Sequence, residues 1–172
     1  MIYVSLSECD KSSSSQHNTA HSLLLSLLSD IGFEDPVISK EQNGRPYVKY
    51  ENTDISISHS KNLAAVCVAT DKAVDVDCTM TLPFAANAVG IDIEHIDKKA
   101  DLAKKNKLSL RFLSKSVDSI DEFFSLWTQN EACGKISGEG VIQATPVECN
   151  TVTFTVVLDS TDEEYSMSIA YK

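Results

Sequence analysis

The stretch Val89-Gly90-Ile91-Asp92-Ile93-Glu94 constrains this chain more than any other. The β-branched residues at 89, 91 and 93 favour extended backbone, in which successive side chains point to opposite faces. Asp92 and Glu94 then share one face, with Ile91 and Ile93 on the other. So strong an apolar face has to pack against a core, which fixes the register of the strand. The opposite face holds two like charges that repel, each of which favours a cation nearby. A hard divalent ion is the simplest partner, because Mg²⁺ takes oxygens from one or two carboxylates plus substrate phosphates. Taken alone, the D-x-E pair fits a solvated acidic strand edge more often than a metal site, so its neighbours have to decide.

Periodicity and turn residues divide the rest of the chain. Residues 2–6 read as a strand. Residues 7–15, with four consecutive serines, read as a flexible loop. Asn18 or Thr19 then caps a helix carrying Leu24, Leu27, Leu28 and Ile31 at three- and four-residue spacing, stopped by Gly32. Residues 36–38 form a short extended segment, and Asn43-Gly44-Arg45-Pro46 a turn before a strand at 47–50. Residues 54–58 alternate with period two and end in His59-Ser60, and 63–69 form an apolar run suited to a buried strand. Residues 72–87 show no clear period and read as a long connection with a strand at 73–79. Residues 98–113 read as a basic helix. A second helix, capped by Asp118 or Ser119, runs from about 120 to 137, before Gly138. Two alternating runs, 152–157 and 165–170, flank a turn and make a hairpin. The sum is an α+β fold of antiparallel strands packed against helices.

Composition narrows the function. The 172 residues suit one domain or two small halves sharing a core. A net charge of −10 argues against non-specific nucleic-acid binding. It also means that an anionic ligand needs locally placed cations. No apolar run approaches a membrane span, and the first residues lack the form of a signal peptide. Five cysteines without C-x-x-C spacing fit free thiols in a reducing cytosol, and four histidines at no matching spacing speak against zinc.

Three further constellations accompany the acid pair. Trp127, Glu131 and Lys135 stand four residues apart and share a helix face. Alone they read as a core tryptophan and a surface ion pair; beside Asp92 and Glu94 they add a third acid and a phosphate-facing cation. Ser58 and His59 end a strand and carry donors for phosphate, although a lone histidine there is more commonly structural. Arg45 sits in Gly-Arg-Pro, an ordinary turn that also places a bidentate phosphate donor.

The ordered series G-R-P, I-S-H-S, V-G-I-D-I-E, R-F-L-S and W-T-x-x-E-A-x-x-K-x-x-G-x-G resembles the 4′-phosphopantetheinyl transferases. The presence of I-S-H-S upstream of G-I-D-I-E points to the larger, monomeric, surfactin-synthetase-activating type. The resemblance covers roughly residues 43–140 and implies two similar α/β halves related by a pseudo-twofold axis, here 1–87 and 88–172. The first half would supply the contacts to the phosphates of coenzyme A and carry an insert near 72–86. The second would supply the metal strand, the catalytic helix and the C-terminal hairpin. The activity implied is transfer of the phosphopantetheine arm of coenzyme A to a serine of an apo acyl or peptidyl carrier protein, releasing 3′,5′-ADP. By the same resemblance Asp92, Glu94 and Glu131 hold Mg²⁺, Glu131 and Lys135 are catalytic, and Arg45, Ser58, His59, Ser22 and Lys135 contact coenzyme A. A cytoplasmic monomer with no nucleic-acid or membrane partner is expected.

The chain departs from the family pattern at Asn130, where the family usually has Lys or Arg, and at His21-Ser22, where it often has Arg-Thr. The region after the first strand is short, and the insert leads directly into the metal strand, where a flap near the cleft or a surface excursion would both fit. Two other classes compete: a degenerate module that binds coenzyme A or a carrier without chemistry, and a magnesium-dependent hydrolase of nucleotide pyrophosphates.

Overall fold

A computed structural model describes residues 1–138 and 148–172 of the chain. Gly140, which closes the tryptophan-containing motif, lies outside the described residues. The order of elements is β1 (Ile2–Glu8), α1 (Ser13–Asp30), β2 (Ser39–Lys40), β3 (Pro46–Tyr47), β4 (Thr53–Ser60), β5 (Leu63–Thr70), β6 (Met80–Leu82), β7 (Val89–His95), α2 (Leu102–Phe112), α3 (Ile120–Ser137), β8 (Asn150–Leu158) and β9 (Glu163–Tyr171). The fold is α+β, and every strand pairing is antiparallel.

Two main sheets have the orders β4-β5-β1-β6 and β7-β9-β8. Each contains the same path: a strand, a helical connection, then a hairpin whose second strand pairs with the first. β1 pairs β5 and β5 pairs β4, as β7 pairs β9 and β9 pairs β8. Alternate residues of each sheet meet in a common apolar layer, with Ile2, Val4, Ala65 and Cys67 on one side and Ile91, Ile93, Met167 and Ile169 on the other. The helices cover the outer faces. Leu24, Leu27, Leu28 and Ile31 of α1 pack on Tyr3, Ala64, Val66 and Val68. α3 lies so close to β7 that a Cβ on Gly90 would run into the carbonyl of Ala132, so only glycine fits there. A smaller cluster of Ile96, Val117, Phe123 and Phe124 fills the space beside α2.

Several sequence expectations change. The serine run is no loop: Ser12 caps α1, accepting from the Ser15 N–H at 3.2 Å, and the buried Gln16 donates to the Lys61 carbonyl at 2.6 Å. The helix thus starts ahead of Asn18 and Thr19. α2 begins later than expected, at a cap made by Asp101. Ser119, rather than Asp118, caps α3, while Glu122 reaches back to the Asp118 N–H at 2.7 Å in a variant of the capping box. The strand expected at 73–79 is displaced to β6: residues 72–78 have no regular structure, and the Tyr3 hydroxyl accepts the Val74 N–H at 2.9 Å. β2 starts just after the segment at 36–38, and β3 covers only part of 47–50. Within the insert, β6 sits beyond β1, at the sheet edge opposite β4, and Phe84 stacks on Tyr171, the partner of Val89 at the start of β7. The expectation of five free thiols also fails. Cys133 on α3 is disulfide-bonded to Cys149, which leaves Cys9, Cys67 and Cys78 free. A reducing compartment therefore no longer follows from the cysteines.

Candidate active site

β7 is an edge strand, so its outward N–H groups need partners. They find them in the side chains of β4. The N–H groups of Val89, Ile91, Ile93 and His95 donate to Asp54 Oδ2, Ser56 Oγ, Ser58 Oγ and Ser60 Oγ at 2.8, 3.1, 3.2 and 3.0 Å. Each pair is separated by 35 residues, so β4 runs parallel to β7 and acts through its side chains as an extra strand. The period-two polar pattern of residues 54–60 is therefore a seam between the sheets and not a wet face.

Asp92 lies on this seam with only 5% of its surface exposed. Its Oδ1 accepts from Ser58 Oγ at 2.9 Å and from Lys135 Nζ at 2.8 Å. The same ammonium donates to the carbonyls of Ile91 and Ile57 at 2.8 and 3.3 Å, so α3, β7 and β4 are pinned together by one cation. The second oxygen, Asp92 Oδ2, is buried without a hydrogen-bond partner among the described residues. Two residues on, Glu94 Oε2 accepts from Ser60 Oγ at 3.0 Å. Glu131, one turn before Lys135 on α3, is half-buried. Burial and then the charge of Asp92 push its carboxyl up to about 7, with Glu94 adding to the effect and Lys135 opposing it. Glu94 is raised for the same two leading reasons.

Glu94 and Glu131 are both raised by burial and then by the charge of Asp92, with one ammonium beside them, which describes a site short of positive charge. The orphaned Asp92 oxygen says the same, since a buried carboxylate oxygen without a donor is costly. The donor set, all oxygens, fits a hard divalent cation. The side chains stand near one another without converging: among the described residues no three His, Cys, Asp or Glu groups are close enough together to hold a metal ion as they lie.

Arg45 belongs to the same region. Its Nη2 pairs with Asp54 at 2.6 Å and its Nε donates to the Lys135 carbonyl at 2.9 Å. Beside it opens a cavity of about 240 Å³ whose lining includes Asn43, Arg45, Pro46, Ile57, Gly134 and Lys135. His59 is exposed, and its neighbours in β4 turn towards the seam. Partial burial and the charge of Lys135 lower its pKa, so the ring is neutral at pH 7. Ser22 lies elsewhere, in an open hollow with Ser7, Asn18, Thr19 and Leu23. The tryptophan of the fourth motif packs on Phe123 and Phe112 at 5.5 and 6.2 Å between ring centres, and so anchors the helix. The residues that sequence reasoning passed over are Asp54, Ser56 and Ser60. Their signal was the unbroken polar alternation along β4.

Comparison with known proteins yields one informative likeness. No family model matches the chain. A Haemophilus influenzae protein named "Putative 4'-phosphopantetheinyl transferase" is 28% identical over 133 residues, 74% of this chain and 53% of that protein. The chain thus spans about half the length of this relative. Among the described residues no helix is long and apolar enough to cross a membrane.

Proposed function

We propose that this chain transfers the 4′-phosphopantetheine arm of coenzyme A to a serine of an acyl or peptidyl carrier protein, releasing 3′,5′-ADP. In this reading it is a Mg²⁺-dependent cytoplasmic monomer of the larger, surfactin-synthetase-activating type. The observation that carries the reading is the gathering of Asp92, Glu94, Glu131 and Lys135 at the β4–β7 seam, with too little positive charge and one carboxylate oxygen unpartnered. The shared strand path of the two sheets supports the expected pair of similar halves, 1–87 and 88–172.

The reaction forms a bond between the carrier serine oxygen and the phosphorus that bears the pantetheine, and breaks that phosphorus's bond to 3′,5′-ADP. It requires a base for the hydroxyl, positive charge for the phosphoryl oxygens and an acid or cation for the leaving phosphate. Glu131 would take the serine proton; its pKa of about 7 belongs to the metal-free chain, and a bound cation would lower it. Lys135, held by Asp92 and two backbone carbonyls, presents a fixed charge to the phosphates and would give up one of those three bonds to protonate 3′,5′-ADP. Asp92, Glu94 and Glu131 are the residues that would hold Mg²⁺, which when bound neutralises pyrophosphate charge. Arg45 at the mouth of the cavity, with Ser58, His59 and Ser22, would hold the phosphates of coenzyme A. Ser58, whose one hydrogen goes to Asp92, would have to exchange that bond to donate to a phosphate.

A carrier would find a distinctive surface on α2. Seven of the fifteen cationic residues lie between 98 and 115, against the single acid Asp101. Leu108 and Leu110 are exposed among them. On a chain of net charge −10 this local reversal suits a partner with an acidic and partly apolar face.

Intact mass of apo carrier proteins incubated with the chain, coenzyme A and Mg²⁺ tests the proposal: a phosphopantetheine mass gain is expected. Its absence across fatty-acid, polyketide and peptide carriers would reject the activity. One observation favours a binding module instead, namely that Lys135 is fully engaged while the three acids do not converge. Glu131→Gln separates the readings, since a binder has no turnover to lose.

A further inference from the structure

The four side chains of the β4 seam are not equivalent. All four accept a β7 N–H, but only two also touch an acid. Ser58 Oγ donates to Asp92 Oδ1 at 2.9 Å, and Ser60 Oγ donates to Glu94 Oε2 at 3.0 Å, both across 34 residues. A serine hydroxyl has one hydrogen. With the His95 N–H already occupying the oxygen of Ser60 at 3.0 Å, that hydrogen is turned to Glu94. Ser56 accepts the Ile91 N–H at 3.1 Å in the same way, yet touches no carboxylate.

We infer that Ser60 is a positioning residue that fixes the Glu94 carboxylate for a divalent cation, as Ser58 fixes Asp92. The inference rests on the proposed role of Asp92, Glu94 and Glu131. Among the described residues Ser60 is the only hydrogen-bond partner of the Glu94 side chain. Glutamate has three rotatable bonds, so one donor anchored to the neighbouring backbone selects one carboxylate placement from many. The bond goes to a single oxygen and leaves the other available. Side chains that orient ligating carboxylates in this way typically set metal affinity by 10–100-fold. Because the β4 oxygens follow the β7 amides step by step, the two acids are placed by the register of the seam and not by their own rotamer preferences.

The test is Mn²⁺ binding to the full chain by electron paramagnetic resonance, with and without coenzyme A, alongside thermal melting. Ser60→Ala is expected to weaken Mn²⁺ binding roughly ten-fold or more. Ser56→Ala, which removes a seam bond of the same kind, is expected to lower Tm comparably while leaving Mn²⁺ affinity unchanged. Ser60→Thr, which keeps the hydroxyl on a β-favouring residue, is expected to bind as wild type does. In a Glu94→Gln background Ser60→Ala should cause no additional loss. Equal affinity of Ser60→Ala and wild type, or an equal loss in Ser56→Ala, overturns the inference and leaves the proposed function standing. Should Ser60→Ala fail to fold, Ser60→Cys, with its weak S–H donor, carries the same expectation and the same overturning result. Wild-type protein that binds no Mn²⁺ in either condition removes the metal reading itself, and this inference with it.

Discussion

The two sheets follow one strand path but carry their helices on opposite kinds of bed. Under α1 the contact is oily: Leu24, Leu27 and Leu28 meet Val66 and Val68, all fully or almost fully buried. Under α3 it is polar. Thr128, wholly buried, shares hydrogen bonds with Ser166 and Ser168 at 3.1 and 2.8 Å, and Ser168 continues to Thr153 at 2.8 Å. A buried leucine contributes about 1.5–3 kcal/mol, a satisfied hydroxyl pair only about 1. α1 is therefore held by non-directional burial, and α3 by directional bonds, the Lys135 tether and the Cys133–Cys149 disulfide. A helix with the role proposed for α3, presenting Glu131 and Lys135 to substrate, would need a fixed azimuth more than apolar area. Serine and threonine oxygens supply that, because rotating the helix would break named bonds.

The largest expected effect breaks chemistry and strengthens the fold. Glu131→Gln should lower phosphopantetheine transfer by roughly 10²–10⁴-fold, the usual contribution of a general base. Its carboxyl has an ordinary value of 4.5 and is raised to about 7 in the fold. Ionisation therefore opposes folding: the penalty is absent below about pH 4.5, grows between 4.5 and 7, and is complete above 7. In chelator-treated protein Glu131→Gln should thus raise stability at pH 8, by an amount on the order of 1–3 kcal/mol, and leave it unchanged at pH 4. Melting curves at the two pH values check the sign. A variant less stable at pH 8 would show that Glu131 is not the strained acid described here.

On the oily side, Leu24→Ala should cost about 2–5 kcal/mol in denaturant unfolding, with no direct effect on Mn²⁺ affinity. On the polar side, the disulfide spans 16 residues, and breaking a loop of that size removes about 3 kcal/mol. Reduction, or Cys149→Ser, should raise amide hydrogen exchange along α3 and leave α1 protected. Equal loss of protection in both helices would show that the staple serves the whole molecule and not the helix with the polar bed.

Much of this contrast was readable beforehand, and the unread part has a common cause. β4, β7 and the β8–β9 hairpin follow from period-two alternation, β5 from its continuous apolar run, and the ends of α3 from Ser119 and Gly138, all of them local signals. Asp92, Glu94, Glu131 and Lys135 each read alone as wet surface, and stood out only through the like-charged pair on one strand face and the ordered motifs around it. Ser12 and Ser60 did not, because a serine reads as loop or wet surface unless its partner is known. The partner of Ser12 is its own first turn, but the partners of Ser56 and Ser60 lie 35 residues away on another sheet. The same holds for Cys133 and Cys149: spacing alone cannot show that a helix end and a strand start meet.

The smallest effect tests the polar bed most directly. Thr128→Val keeps shape but removes the hydroxyl that Ser166 and Ser168 share. Ser168 retains Thr153, whereas Ser166 loses its partner and is 3% exposed, so one buried hydroxyl is stranded. A loss of about 1–2 kcal/mol is expected. Adding Ser166→Ala removes the stranded hydroxyl and Ser168→Ala completes an apolar bed, with Thr153 keeping Gln129, so the triple variant should recover most of that stability, since replacing both sides of a buried pair is nearly neutral. It would also make the bed under α3 resemble the one under α1. If the triple variant regains stability and still transfers at the wild-type rate, burial alone orients the catalytic helix as well as directional bonds do. The expected result is regained stability with transfer still depressed, because an apolar bed would hold α3 in place without fixing the rotation that aims Glu131 and Lys135 at the seam.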